Sequence, residues 1–247
     1  MAVSNLNRQD HQPAFVLHTY PFKETSLVVE LFTREFGRVA AVAKGARRPR
    51  SAMRGMLQSF QPLLATWSGK NELRNLHSLD WDKGLLLLQG QSLMCGFYMN
   101  ELLLRLLPRE DAHETLFDYY AQTLRDLSKN SSKSQDTAIT LRRFELKMLQ
   151  EMGYAVPLEI DEEESPISSE QAYFYVPERG ACHPRTQSQR QNGVQLSGKT
   201  LLDMAQDVYS DLQTQQQSKQ LMRVLLGHYL GDKPLHTRQL LIDLQEL

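Results

Sequence analysis

Two cysteines in 247 residues, Cys95 and Cys182, are too few and too far apart for a disulfide framework or a CxxC…CxxC zinc site. The formal net charge is only −1, so no bulk excess of either sign marks a nucleic-acid or membrane binder. Long apolar runs are missing too. The most hydrophobic window, residues 85–107, is broken by Gln89, Gln91, Asn100, Glu101 and Arg105. It reads as a buried helix and excludes a membrane span. No secretory apolar segment opens the sequence, and residues 1–12 (MAVSNLNRQDHQ) read as a polar, frayed stretch. No GxSxG, P-loop or HExxH pattern is expected to serve catalysis here. Together these absences point to a reduced, cytoplasmic protein with no cofactor and no metal, long enough for two domains.

What is present is positive charge gathered in one place. Residues 34–55 (REFGRVAAVAKGARRPRSAMRG) carry Arg34, Arg38, Lys44, Arg47, Arg48, Arg50 and Arg54 against Glu35 alone. The stretch is formally +6, so the rest of the chain sums to −7. It follows a strand-like run, VAAVA, and contains Gly45, Pro49 and Gly55, which punctuate helices and strands alike. A positive loop on a small barrel suits a phosphate backbone, because each contact releases a condensed counterion. A solvated loop or a localisation signal would have the same composition.

Residues 14 to about 80 read as strands. AFVLHTY, TSLVVELFT and GRVAAVAK are followed, after the basic loop, by FQPLLATWSG and NELRNLHSL, joined by a turn at residues 68–71. In the second run Leu27, Val29 and Leu31 share one face, as a strand with one wall inward requires. Five short strands with a long connection after the third predict a Greek-key barrel of the OB type. Such barrels bind single strands by a positive groove and aromatic platforms. Phe15, Tyr20, Phe22, Phe32, Phe36, Phe60 and Trp67 are available, and most are expected in the core.

From residue 85 the period becomes helical. Residues 93–107 form a helix apolar nearly all round, with Asn100 in a satisfied buried network and Glu101 in reach of Arg105. Further helices are expected at about 112–127, and at 137–152 with Asp136 as N-cap and Gly153 as stop. In the latter, Arg142 falls on the apolar side between Leu146 and Leu149, where a guanidinium needs an anionic partner. That partner is either Glu145, one turn away, or a carboxylate of a docking protein. Residues 155–197 differ in composition: an acidic run at 159–164 reads as a solvated loop, and residues 173–176 as one strand of a small insertion. Helices follow at 200–212, 216–230 and 237–247, with residues 213–217 as a solvated turn. The fold class is α+β, with an N-terminal five-stranded OB-type barrel (1–82) and a helical domain (83–247) carrying the insertion.

Several of these segments resemble one family, the bacterial recombination mediator RecO. AFVLHTYPFKETSLVVELFTREFGRVAAVAKGARR looks like its N-terminal signature, and FQPLL, YMNELLLRLL, LRRFELKMLQEMGY and YLGDKPLHTRQLL match further blocks. The resemblance implies a non-enzymatic, nucleoid-associated DNA repair protein that binds single- and double-stranded DNA and anneals complementary strands. It also implies two partners, the C-terminal tail of single-stranded-DNA-binding protein and RecR, with which recombinase is loaded onto coated strands. It places DNA on the basic loop, and brings tail docking at Arg142 and Arg143 level with the internal pair. Some relatives carry a four-cysteine zinc module where this chain keeps only Cys182, which implies a degenerate remnant. A metal-dependent nuclease using residues 159–164, or a DNA-independent helical scaffold, are the competing readings.

Overall fold

Backbone pairing, more than side-chain polarity, decides where the first strand begins. The computed structural model describes residues 7–82, 84, 86–129, 134–154, 156–183, 193–231 and 234–237. Strand β1 runs Arg8–Phe22 and serves two neighbours. Its first half pairs with β4 (Leu63–Ser68), from Arg8 opposite Ser68 to Ala14 opposite Leu63. Its second half pairs with β2 (Ser26–Thr33), ending at Phe22 opposite Ser26. Register shifts at Gln9/Gln12 and Val16/His18 bend the strand between its partners. The expected frayed segment is therefore corrected from Arg8 onward, because closing the sheet requires a partner for β4. Residues 1–6 lie outside the described residues.

Strands β3 (Gly37–Ala43) and β5 (Leu73–Trp81) complete a closed barrel in the order β1-β2-β3-β5-β4. Only the β3–β5 pairing is parallel. Val16, Val29, Leu31, Val39, Ala41, Leu63, Ala65, Trp67, Leu76 and Leu79 fill the interior, at alternate positions except in β5, where a register shift against β4 separates Leu76 from Leu79. The β2–β3 turn needs glycine at position 37 for two reasons. Its φ is +62°, and a Cβ there would lie 1.8 Å from the backbone oxygen of Asp111. That approach lets the Glu110 amide donate to the Arg38 carbonyl at 3.0 Å.

The outer wall of β2 is buried as well, which the one-sided reading of that strand missed. Helices α1 (Gly90–Leu106) and α2 (Glu114–Lys129) supply the cover. Phe117 and Tyr120 of α2 pack on Phe15 and Phe32, with ring centroids 5.1–5.8 Å apart. Asn100 joins them as expected of a buried network: its amide donates to the Leu17 carbonyl at 2.9 Å and accepts from the Tyr120 hydroxyl at 2.5 Å. Burial pushes the Tyr120 phenol up, so it remains a donor. Glu101 lies 4.0 Å from Arg105 and accepts from the amides of His236 and Thr237 and from the Thr237 hydroxyl. Burial works against its charge, but these donors hold its carboxyl below the ordinary value.

Residues 1–132 with 235–247 form one compact unit and residues 133–234 a second. In the second, α3 (Ser134–Glu151) starts two residues before Asp136, which stands in the first turn and is not the cap. Gly153, at φ +79°, ends it as expected, with the Tyr154 amide reaching back to the Leu149 carbonyl. The insertion is a three-stranded sheet, β7 (Gly180–Cys182), β6 (Ala172–Val176), β8 (Val194–Ser197), built on buried Tyr173 and Tyr175. Helix α4 (Gly198–Ala205) is shorter than the sequence suggested, because Asp207 takes a φ of +59°. Residues 213–217 are not a turn but the start of α5 (Leu212–Leu230), capped by the Asp211 side chain. Thr214 is fully buried there and donates to Asp203, while Gln217 accepts from Ser197 and Thr200. The helix expected at 237–247 lies outside the described residues from 238 on. Among the described residues, no helix is long and apolar enough to cross a membrane.

Candidate nucleic-acid interface

The basic loop leaves β3 at Ala43 and is pinned before it projects. Gly45, at φ +69°, turns the chain and its amide reaches the Ser26 hydroxyl at 3.4 Å. The Arg47 amide donates to the Thr25 carbonyl at 2.9 Å, and Ala46 is wholly buried in the barrel core. Successive turns then carry the chain through a 3-10 turn at Ala52–Gly55. Met53, Met56 and Leu57 pack back onto the barrel. The apolar residues of the loop thus serve as feet, and its cations have nowhere to point but outward.

Lys44, Arg47, Arg48, Arg50 and Arg54 are all exposed. Among the described residues none of them forms an ion pair. Residues 44–54 contain five cations and no acid, an undiluted positive surface.

Arg34 and Arg38, expected in the same surface, are held elsewhere. Arg34 reaches Glu114 at 2.6 Å and both oxygens of Asp118 at 3.0–3.1 Å, on the exposed side of α2. The Asp118 bond is the main reason its guanidinium is held above the ordinary value. Arg38 is largely buried; it donates to the Leu104 carbonyl and lies 4.0 Å from Glu30, itself paired with Arg109. Burial pushes the Arg38 guanidinium down, against the pull of Glu30. Asp118 lies 84 residues from Arg34 and Leu104 lies 66 from Arg38, beyond the reach of a local reading. Of the seven candidates, five form no ion pair among the described residues.

Arg142 and Arg143 have internal partners too. Arg142 meets the fully buried Glu145 at 2.7 Å, the pairing that one turn of helix allows. Arg143 donates to the Asp207 carboxylate at 2.7 Å and lies over the Tyr209 ring. The acidic run is occupied by local structure: Asp161 accepts from the amides of Glu163 and Ser165, and Glu162 pairs with Arg179. Among the described residues, no cluster of His, Cys, Asp and Glu has the arrangement to hold a metal ion. Burial, helped by Glu162, pushes the Cys182 thiol up, away from the thiolate a metal would need.

Residues 193–200, GVQLSGKT, fit the spacing of a phosphate-binding loop, which corrects the expectation that no P-loop pattern is present. The fold argues against that use. The residues between the two glycines form β8, paired with β6, where a phosphate cradle would need an open loop. Lys199 is held by Asp203 and lies 3.5 Å from Asp211, and Thr200 donates to Gln217.

Of the seven aromatics, Phe15, Phe32, Phe60 and Trp67 are buried. Phe36 packs edge-on against Trp67, Phe22 is half-buried, and Tyr20 is exposed. Exposed Trp81, at the end of β5, was not among those singled out.

Two family descriptions match the chain: "Recombination protein O N terminal" over residues 8–84 and "Recombination protein O C terminal" over residues 87–239. The DNA repair protein RecO of Nitrosospira multiformis is 56% identical over 241 residues, covering 97% of this chain and 98% of that protein. The RecO protein of Thiobacillus denitrificans is 49% identical over 252 residues, covering 100% and 97% respectively. That of Aromatoleum aromaticum is 50% identical over 246 residues, covering 99% and 100%.

Proposed function

The chain belongs to the RecO family of DNA repair proteins, and from that premise we propose that it is a non-catalytic recombination mediator. Its basic loop takes the phosphate backbone of single- or double-stranded DNA, while its helical part receives the acidic tail of single-stranded-DNA-binding protein. With RecR, it helps load recombinase onto strands coated by that protein. The observation that carries this reading is the set of five exposed, acid-free cations on a loop pinned to the barrel. Two strands near one such surface lose much of their mutual repulsion, which is what annealing needs.

Arg142 can serve the tail without leaving Glu145. A guanidinium has five N–H donors, and one bond, to Glu145, accounts for its hydrogen bonding among the described residues. Arg142→Ala is expected to weaken an acidic, apolar-ended C-terminal peptide about tenfold in calorimetry, the scale of one charge-assisted hydrogen bond. Wild-type affinity in the folded variant would assign Arg142 to Glu145 alone.

Strand annealing tests the whole proposal. Complementary labelled strands should pair faster with the protein than without it. The acceleration should persist when both strands are coated by single-stranded-DNA-binding protein bearing its tail, and fail when the tail is removed. No acceleration on bare strands would exclude the annealing role.

A further inference from the structure

We infer that Tyr20 is a stacking platform for an unpaired base of a strand whose phosphates lie on the basic loop, an inference that rests on the DNA-binding reading above. Of the seven aromatics singled out from the sequence, the other six are buried or packed to different degrees. Phe15 and Phe32 lie under α2, Phe36 packs on Trp67, and Phe60 faces Phe97. Phe22 is half-buried with the Lys23 ammonium 5.4 Å from its ring centre. Tyr20 keeps 45% of its surface exposed. Trp81 is comparably exposed, but it stands opposite Leu63 at the end of β5, in another part of the barrel wall.

The pairing of the strands places Tyr20 two strands from β3, from whose end the basic loop leaves. Tyr20 lies opposite Val28, Val28 opposite Val42, and Val42 opposite Asn75, so these four side chains form one row on the outer face. Lys44 follows Val42 by two residues, at the turn just past the end of β3. Two strand spacings separate β1 from β3, about 10 Å. The bond from the Arg47 amide to the Thr25 carbonyl ties the loop to the β1–β2 turn, five residues beyond Tyr20. Between platform and loop lie Val28, partly exposed, and Val42, buried.

The ring is also held. The His18 imidazole meets it at 64° with centroids 4.5 Å apart, an edge contact that restricts the phenol's rotation. A restrained aromatic beside phosphate-binding cations accepts any base, since every base has a π-face. In a duplex those faces are already stacked. Tyr20 should therefore separate single from double strands on a protein whose loop alone does not.

The test compares wild type, Tyr20→Ala, Tyr20→Leu and Tyr20→Phe on a single-stranded oligonucleotide and its duplex by fluorescence anisotropy. Loss of the ring should weaken single-strand binding about tenfold in the Ala and Leu variants and spare the Phe variant. Duplex affinity and the salt slope should not change. Quenching of a 2-aminopurine base in the strand should fall in parallel. Unchanged single-strand affinity, or equal losses on both DNAs, would overturn the inference while leaving the loop's role intact. Failure of the wild type to bind either DNA would overturn the underlying reading and the inference with it.

Discussion

Replacing Arg47 and Arg48 together by glutamate is expected to weaken single-strand binding about 25-fold at 0.1 M salt, the counterion-release term of two lost phosphate contacts relative to 1 M salt, where that term vanishes. The repulsion added by two carboxylates increases the loss further. The fold should not suffer, because both side chains are exposed and form no ion pair among the described residues. What holds this part of the loop is the Arg47 amide and the buried Ala46, and neither is altered by the substitutions. Anisotropy titrations with a melting curve for each protein check the point. Undiminished affinity would remove these arginines from the interface. A lowered melting temperature would show that their side chains support the loop as well as the DNA.

The second large effect concerns the barrel's outer wall. Phe32→Ala should cost about 3–5 kcal/mol in denaturant unfolding, the range for removing a buried phenylalanine. Phe32 has no exposed surface and meets both Phe117 and Tyr120, so its loss leaves a void between β2 and α2 that neither can fill by local adjustment. If α2 did not seal that wall, Phe32 would be a solvated aromatic on a strand and its removal nearly neutral. A change under about 1 kcal/mol would mean that the helix is not packed there as described.

Much of this architecture could be read from residue order, for identifiable reasons. The face shared by Leu27, Val29 and Leu31 in β2, the apolar run of β3 and the broken continuity at Gly45 and Pro49 marked strands and loop, and β2, β3 and the turn at Gly45 appear in the barrel. Asn100 was placed in a satisfied network because a lone amide on an apolar helix must find partners, and it found Leu17 and Tyr120. Local pattern failed where distant contacts decide. Glu30 and Phe32 lie on the face of β2 opposite Leu27, Val29 and Leu31, and only α2 and Arg109, far along the chain, make that face an interior. Arg34 and Arg38 counted as free charge for the same reason, since Glu114, Asp118 and the Leu104 carbonyl cannot be assigned to them by spacing. The glutamines at 213, 215, 216 and 217 misled through composition: Asp211 caps a helix whose buried side is Thr214 and Ser218. Of the candidate interface, the loop was legible and the pairing of Arg34 and Arg38 was not.

The most direct measurement is the salt dependence of single-strand affinity. Five phosphate contacts, from Lys44, Arg47, Arg48, Arg50 and Arg54, predict a log-log slope of about −3.5, or roughly a hundredfold loss between 50 and 200 mM salt. A slope near −5 would return Arg34 and Arg38 to the interface, against their pairing with Glu114, Asp118 and Glu30. A slope close to zero would contradict the account outright, for then the cations on the barrel would not be what holds the strand.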